Sequence, residues 1–339
     1  MDIQKEIIRI TSEYFQDKLD YKKLQQASQE YKSLLNSICG QNMDVENGKK
    51  DINLNNGKAL GTFWAALCLD DLIRTRKFIR GIDKAIRENI NKQKPLHILY
   101  AGTGPFATLI LPTIFRYSKE EIKYTFIELN PFSFEILQTV ISKLELENFN
   151  INFVKEDATK YQIDAKNKPD IIISETMQNA LAKEQQVSIF LNLMNQVNYK
   201  SIFIPEKIEL FIALKKAGIP AEETLISHYQ NEKKVFEVSK EAMIPLNRLE
   251  NNTSYETSFT KKQITIAQKE LKGFSRLVLL TKIKVYKDEK IEINESGLTV
   301  PLIIKDIQSN FEGSLTINTQ YKISSHPKLE YEIILNNKT

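Results

Sequence analysis

An α/β unit built on a parallel sheet, preceded by a helical segment and followed by a β-rich unit of barrel or sandwich type, is the fold class that the sequence predicts. Three observations carry this. Between Leu96 and Pro205 five short apolar runs, LHILYA, KYTFIEL, INFVKED, PDIIISE and SIFIPE, alternate with helix-like stretches. That alternation implies parallel strands with helices on both faces of the sheet. After Pro205 the chain turns strand-rich, with seven closely spaced candidate strands from KIELFIALKK to KLEYEIIL, a spacing typical of barrels and sandwiches. Ahead of both, apolar residues recur at threes and fours among Lys, Glu and Gln. The predicted divisions are 1–56, a helical segment and linker; 57–205, the α/β unit; and 206–339, the β-rich unit.

Taken in order, residues 1 to about 38 read as helix on Ile3, Ile7, Ile8, Ile10, Tyr14, Leu24, Tyr31, Leu34 and Leu35, stopped at Cys39-Gly40. The polar run QNMDVENGKKDINLNNGK, with two Asn-Gly pairs, offers little to bury and reads as a linker or mobile loop. Phe63 to Ile86 returns to helix, with Leu69, Leu72, Ile73, Ile79, Ile82 and Ile86 on one face and Asp70, Asp71, Arg74, Lys77, Arg80 and Lys84 largely opposite. Within the β-rich part, AEETLISHYQNEK reads as a helix that interrupts the strands. No internal repeat is evident, which excludes a solenoid.

Composition removes whole classes. With 42% hydrophobic and 27% charged residues among 339, and only 11 Gly and 10 Pro, the chain is neither fibrous nor disordered. A net charge of +4, from 47 basic against 43 acidic residues, marks neither a nucleic-acid nor a membrane-surface binder. Two cysteines, Cys39 and Cys68, cannot build a disulfide framework or a thiolate zinc site, so no metal is expected and a reducing compartment, the cytoplasm, is. The first fifteen residues lack the apolar run of a signal peptide, and no 18-residue apolar stretch occurs, so no membrane span is expected.

Four places could carry chemistry. In LHILYAGTGPFA a strand runs into Gly102 and Gly104 and then an apolar helix start, where backbone can approach a polar or anionic ligand. Gly102, Gly104 and Ala107 also fit the dinucleotide fingerprint, and a plain tight turn fits them equally. Glu128 ends the next strand, 24 residues past Gly104, where open α/β sheets place a carboxylate on ribose hydroxyls. Asp157 ends the strand after that, either to accept from an adenine amino group or to cap a helix. Glu175 leaves the carboxyl edge of an apolar strand and Glu184 follows nine residues later across a segment long enough for a hairpin. Two such carboxylates either lie unrelated on the surface or face one another, and facing carboxylates are compatible mainly when a cation sits between them. A guanidinium, planar with five donors, suits that place.

Together these stretches resemble a class I S-adenosylmethionine-dependent methyltransferase, and within that class the protein arginine methyltransferase family. The resemblance covers roughly residues 57 to 339, and its most specific part is S-E-x-M-x-x-x-L-x-x-E, Ser174 to Glu184. Gly102-Thr103-Gly104-Pro105-Phe106, Ile127-Glu128-Leu129-Asn130-Pro131 and Asp170 to Glu175 are similar to the symmetric-dimethylating branch in particular. Leu69-x-Asp71-x-x-Arg74-Thr75 is similar to the family's helix before its Rossmann domain.

The resemblance implies a Rossmann-like, S-adenosyl-L-methionine-binding methyltransferase domain over 57–205, then a β-barrel-like substrate and dimerisation domain over 206–339. It implies Glu175 and Glu184 as the pair gripping a substrate guanidinium, and Arg74 as the cation on the cofactor's methionine carboxylate. Tyr100, standing where the family has a first glycine, joins Gly102, Gly104, Glu128, Asp157 and Glu175 as the implied cofactor site. The implied acceptor is an arginine-containing peptide or protein, and the implied assembly a homodimer whose arm falls at Ala221 to Lys233. The family's aromatic segment ahead of the first helix has no counterpart in LNNGKALGTF, and its barrel-loop tryptophan has none either, since Trp64 is the single tryptophan. His326 matches no family motif and reads as structural.

Three rival readings stay open from the residues. One keeps the cofactor and changes the acceptor to a small molecule or a ribosomal peptide in a biosynthetic pathway. Another is a nicotinamide-dependent oxidoreductase using the Gly102-x-Gly104-x-x-Ala107 loop, and the third a catalytically idle scaffold. A nucleic-acid base methyltransferase is set aside, because Ser174-Glu175-Thr176-Met177 stands where such enzymes often carry Asn-Pro-Pro-Tyr or Pro-Cys, and no aromatic-studded basic face is obvious.

Overall fold

The computed structural model describes residues 3–90, 94–220, 223, 225–247, 257–308 and 311–337. At the N-terminus the predicted single helix is two, α1 (Ile3–Thr11) and α2 (Tyr21–Cys39). Asp20 causes the restart, since its carboxylate accepts from the free N–H groups of Lys22 and Lys23 at 3.1 and 3.2 Å, and Gly40 ends α2 in the left-handed region at φ 64°. Both helices lie on the α/β unit: Tyr31 donates to the Thr108 carbonyl at 3.4 Å, and the Gln4 amide to that of Leu144 at 2.9 Å.

The segment predicted as a linker is structured. It forms the short helix α3 (Glu46–Lys49) and a hairpin of β1 (Ile52–Leu54) and β2 (Gly57–Ala59), turned by Asn55 and Asn56. Its polar residues are used rather than solvated, because Asp51 holds both the Lys58 ammonium at 2.6 Å and the Gly61 N–H at 2.9 Å. The following predicted helix is likewise broken, into α4 (Thr62–Leu67) and α5 (Leu72–Asn89), where Asp71 leaves the helical backbone region and caps α5 through the Arg74 N–H at 3.2 Å.

The α/β unit follows as β3 (Leu96–Ala101), α6 (Leu111–Ile114), β4 (Ile122–Ile127), α7 (Pro131–Lys143), β5 (Ile151–Val154), β6 (Ile171–Ser174), α8 (Gln186–Met194) and β7 (Ile202–Ile204). All five strands are parallel, in the order β5-β4-β3-β6-β7. Every residue of β3 and β6 is buried, so the uninterrupted apolar runs are strands covered on both faces. The order reverses at β3, between β4 and β6, and a crevice opens at the carboxyl ends of the strands at such a point.

Two antiparallel sheets complete the chain. One contains β8 (Lys207–Lys216), β9 (Tyr229–Ser239), β12 (Phe274–Tyr286), β13 (Glu289–Ile291) and β14 (Leu302–Asp306). The other contains β10 (Thr257–Ser258), β11 (Lys262–Ile266), β15 (Gly313–Ile323) and β16 (Lys328–Asn337). Phe236 of β9 stacks on Tyr321 of β15 with ring centroids 4.3 Å apart, and Phe259 meets both edge-on.

The helix predicted over Ala221–Lys233 is absent from its described part, while residues 221, 222 and 224 lie outside the described residues. Ile226–His228 makes one 3-10 turn, and Tyr229 to Lys233 belongs to β9, where Tyr229 pairs with Lys215 and buries its ring. The ladder satisfies the polar backbone of this segment, so its polar side chains can point outward from a strand. A helix does occur further on, at Lys240–Asn247. Of the predicted strand TSYETSFT, Thr257 and Ser258 are strand, and residues 253–256 lie outside the described residues. No helix of the described residues is long and apolar enough to cross a membrane.

Asp71 is among the side chains that fasten the two units. Besides capping α5, Asp71 accepts through Oδ2 from Ser296 Oγ at 2.6 Å and Gly297 N at 3.0 Å, in the loop that precedes β14. Asp71→Ala is expected to lower stability by about 2 kcal/mol, a cap and two charge-assisted bonds lost together. The check is a reduced urea midpoint with unchanged slope, restored only in part in Asp71→Asn, whose amide keeps one acceptor oxygen of the two.

Candidate active site at the carboxyl edge of the parallel sheet

A cavity of about 490 Å³ opens where β3, β4 and β6 end. Hairpin residues Lys58 to Leu60, helix residues Cys68 and Arg74, the glycine turn, the loop after β6, and Gly297 and Leu298 from the β-rich unit all line it. Its size and mixed apolar and polar lining are those of a small-ligand site.

The glycine turn is fixed by its neighbours. Gly102 has φ 75°, and a Cβ there would collide with Thr176 Cγ2. Glu128 braces the turn from the next strand, accepting from Gly104 N at 2.7 Å through Oε2 and from Asn130 N at 2.8 Å through Oε1. Burial pushes its carboxyl above the ordinary range, against those N–H donors. Tyr100, on the fully buried β3, also borders the cavity, and burial raises its phenol.

Asp157 does not join them. Its carboxylate accepts from Thr159 N at 2.9 Å and Thr159 Oγ1 at 2.7 Å, closing a local turn, while Glu156 and Ala158 on either side are the residues that line the cavity. No helix follows it, so Asp157 caps a turn and not a helix, as short acceptor side chains favour.

Glu175 and Glu184 do converge on the cavity, together with two cations. The Arg74 guanidinium forms an ion pair with Glu175 in which the side chains are 8% and 4% exposed, and Arg74 Nη1 donates to the Cys68 carbonyl at 2.8 Å. Arg74 Nε is buried without a partner, as is Glu184 Oε1. The charge on Glu184 is disfavoured by burial and favoured by Lys58 and Arg74, and the outcome is a carboxyl pushed up to about 7. Glu175 is thus paired with a guanidinium of the chain itself, while Glu184 has no ion pair among the described residues.

The loop carrying the two glutamates is unusual. Ala180, Leu181 and Lys183 all have positive φ, at 58°, 56° and 68°, a region costly for side chains with a Cβ. Hydrogen bonds from outside hold it: Thr281 Oγ1 donates to Asn179 Oδ1 at 3.0 Å, Asn179 Nδ2 to the Val300 carbonyl at 2.6 Å, Tyr321 OH to the Leu181 carbonyl at 2.7 Å, and Lys183 N to the Pro327 carbonyl at 2.8 Å. From the other side Lys58 N donates to the Lys183 carbonyl at 2.9 Å, and Gly57 permits this approach, since a Cβ there would stand 3.0 Å from the Glu184 carbonyl carbon.

Of the residues predicted for the site, Arg74, Tyr100, Gly102, Gly104, Glu128, Glu175 and Glu184 line this cavity. His326 sits exposed on the turn before β16, bonded to Ser325 Oγ, and Trp64 is exposed with its Nε1 on the Lys49 carbonyl. Lys58, Cys68 and Leu298 were missed. Lys58 stands in a polar run without periodicity, and Leu298 reaches the cavity only through the contact of two units distant in sequence. No motif marks either.

No family model matches the chain. An uncharacterized protein of Methanocaldococcus jannaschii is 24% identical over 262 residues, 76% of this chain and 92% of that protein. Among solved structures, a chain of the Trypanosoma brucei PRMT1 enzyme–prozyme heterotetrameric complex with AdoHcy is similar over 79% of this chain and 96% of its own, at 13% identity and a TM-score of 0.46.

The Glu184 carboxyl sets a pH signature. Its folded value of about 7 lies above the ordinary 4.5, so the folded state holds the proton longer and stability falls as pH rises from about 4.5 to about 7. Glu184→Gln removes that loss. It is expected to be more stable than the unsubstituted protein above pH 7, by up to about 3 kcal/mol, and equal to it near pH 4, as read by denaturant unfolding at both pH values.

Proposed function

We propose that the chain is an S-adenosylmethionine-dependent methyltransferase, and that within this class it methylates a guanidino nitrogen of arginine. The observation that carries the proposal is the buried Arg74–Glu175 pair facing Glu184, with Arg74 Nε and Glu184 Oε1 both unpartnered in the same cavity. Unpartnered buried polar atoms of opposite sign suit a ligand that carries an anionic and a cationic group together.

The residues fit the cofactor. Arg74 would hold the methionine carboxylate, the Gly102–Gly104 turn borders the part of the cavity open to a nucleoside, and Glu128 keeps lone pairs for ribose hydroxyls beyond those used on Gly104 and Asn130. S-adenosylmethionine supplies an activated methyl group, and transfer to nitrogen is an in-line displacement governed mainly by orientation.

The rest falls to the two glutamates. A guanidinium is a poor nucleophile because its lone pairs are delocalised. Glu175 and Glu184 grip it, draw positive charge away from the attacking nitrogen and fix its plane.

Mass spectrometry of arginine peptides and free arginine after incubation with labelled cofactor tests the reading. A methyl on a guanidino nitrogen is expected, and labelling on any other group overturns the choice of acceptor. Glu175→Gln and Glu184→Gln are each expected to abolish turnover while calorimetry finds S-adenosylhomocysteine affinity within a few-fold. Tight binding of NAD in place of S-adenosylhomocysteine returns the oxidoreductase.

A further inference from the structure

The β1–β2 hairpin lies along the loop that carries the glutamates. Lys58 of β2 bridges Glu184 in parallel register, with Lys58 N on the Lys183 carbonyl at 2.9 Å. Beside this bridge Gln185 Nε2 donates to Asn56 Oδ1 at 2.6 Å, and Asn56 Nδ2 to Thr159 Oγ1 at 3.0 Å in the loop after β5. The hairpin is thus held from two sides, and with it the place of the Lys58 side chain at the cavity.

An ammonium beside a desolvated carboxylate gains by closing on it. Here it stays away. Lys58 Nζ stands 2.6 Å from Asp51 Oδ2, Asp51 Oδ1 is fixed by Gly61 N at 2.9 Å, and Glu184 Oε1 is buried without a partner. The other groups that face Glu184 do not take its charge. Arg74 of α5 is committed to Glu175 on the same loop, and burial pushes the Cys68 thiol up, so that it is uncharged at neutral pH. The β-rich unit brings only Gly297 and Leu298 to the cavity among the described residues, and neither titrates.

We propose that Asp51 and Lys58 are positioning residues for the acceptor: Asp51 holds the Lys58 ammonium off Glu184, so that its field keeps Glu184 a carboxylate while Oε1 stays open to the incoming cation. The proposal rests on the reading of Glu184 as part of a guanidinium grip and assigns the residues that keep the grip ready. A direct Lys58–Glu184 pair would fill the acceptor's place. Without the ammonium, Glu184 would hold its proton at neutral pH and present a donor where the cation needs an acceptor.

The two residues have opposite signatures. Carbon-13 NMR of the full chain, labelled at its glutamate carboxyls, reads Glu184 as the resonance lost in Glu184→Gln, with a midpoint of about 7. Lys58→Met is expected to raise that midpoint by about one pH unit and Lys58→Arg to restore it. Asp51→Asn, which keeps an acceptor oxygen for Gly61 N, is expected to lower it by about as much, because the freed ammonium closes on Glu184. Calorimetry with N-acetylarginine amide in the presence of S-adenosylhomocysteine separates them again. Lys58→Met weakens the amide about five-fold at pH 7 and not at pH 9, whereas Asp51→Asn weakens it about three-fold or more at both. A midpoint unmoved in Lys58→Met, shifts of one sign in both variants, or amide binding at pH 7 indifferent to Lys58→Met overturns the proposal. So does an equal loss of S-adenosylhomocysteine affinity in Lys58→Met, since the ammonium then serves the cofactor. Should the midpoints move in opposite directions while the amide fails to bind the unsubstituted protein, the guanidinium reading fails and the coupling of Asp51, Lys58 and Glu184 stands.

Discussion

Two carboxylates that share one desolvated cavity must be compensated, and the architecture follows from how that is done. Burying an unpaired charge costs several kcal/mol, so a pair of glutamates persists inside a fold only with cations or protons on it. Here Glu175 has the Arg74 guanidinium, while Glu184 combines the field of Lys58 with a carboxyl raised toward neutrality. Arg74 comes from α5, Lys58 from the β1–β2 hairpin and the glutamates from the loop after β6. Three segments distant in sequence thus meet at one point, each supplying one part of the charge balance.

That loop is also where the two units depend on one another. Three residues with a Cβ in the left-handed region would not hold their conformation alone, since each costs on the order of 1 kcal/mol or more. Asn179, Leu181 and Lys183 are instead bonded to Val300, Tyr321 and Pro327 of the β-rich unit. The β-rich unit thus places the glutamates, and Asp71 ties the same unit to the helix that carries Arg74.

Much of this was legible in the residues. The five apolar runs between Leu96 and Ile204 became the five parallel strands, because strands buried on both faces leave a continuous signal, and Gly102, Glu128 and Glu175 stand at their carboxyl ends, where such folds gather ligand groups. What misled was polarity read as disorder or as helix. The run before Lys58 is polar yet folded through Asp51, and Tyr229 to Lys233 is polar yet paired in a ladder. Asp157 was open between two roles that a strand-end position cannot separate, and its Oδ1 closes a turn on Thr159 with no helix behind it. Lys58 and Leu298 reach the cavity through contacts between remote segments, for which local pattern has no signal.

The bonds from Tyr321, Thr281 and Pro327 to the glutamate loop have an evolutionary corollary. Neither half of the molecule is a transplantable module: a sheet grafted from elsewhere would carry its own spacing of donors and acceptors, and the loop would relax toward ordinary backbone angles. A change at Thr281 or Tyr321 in the sheets, where the bond is made by the side chain, is therefore felt in the loop that carries the glutamates.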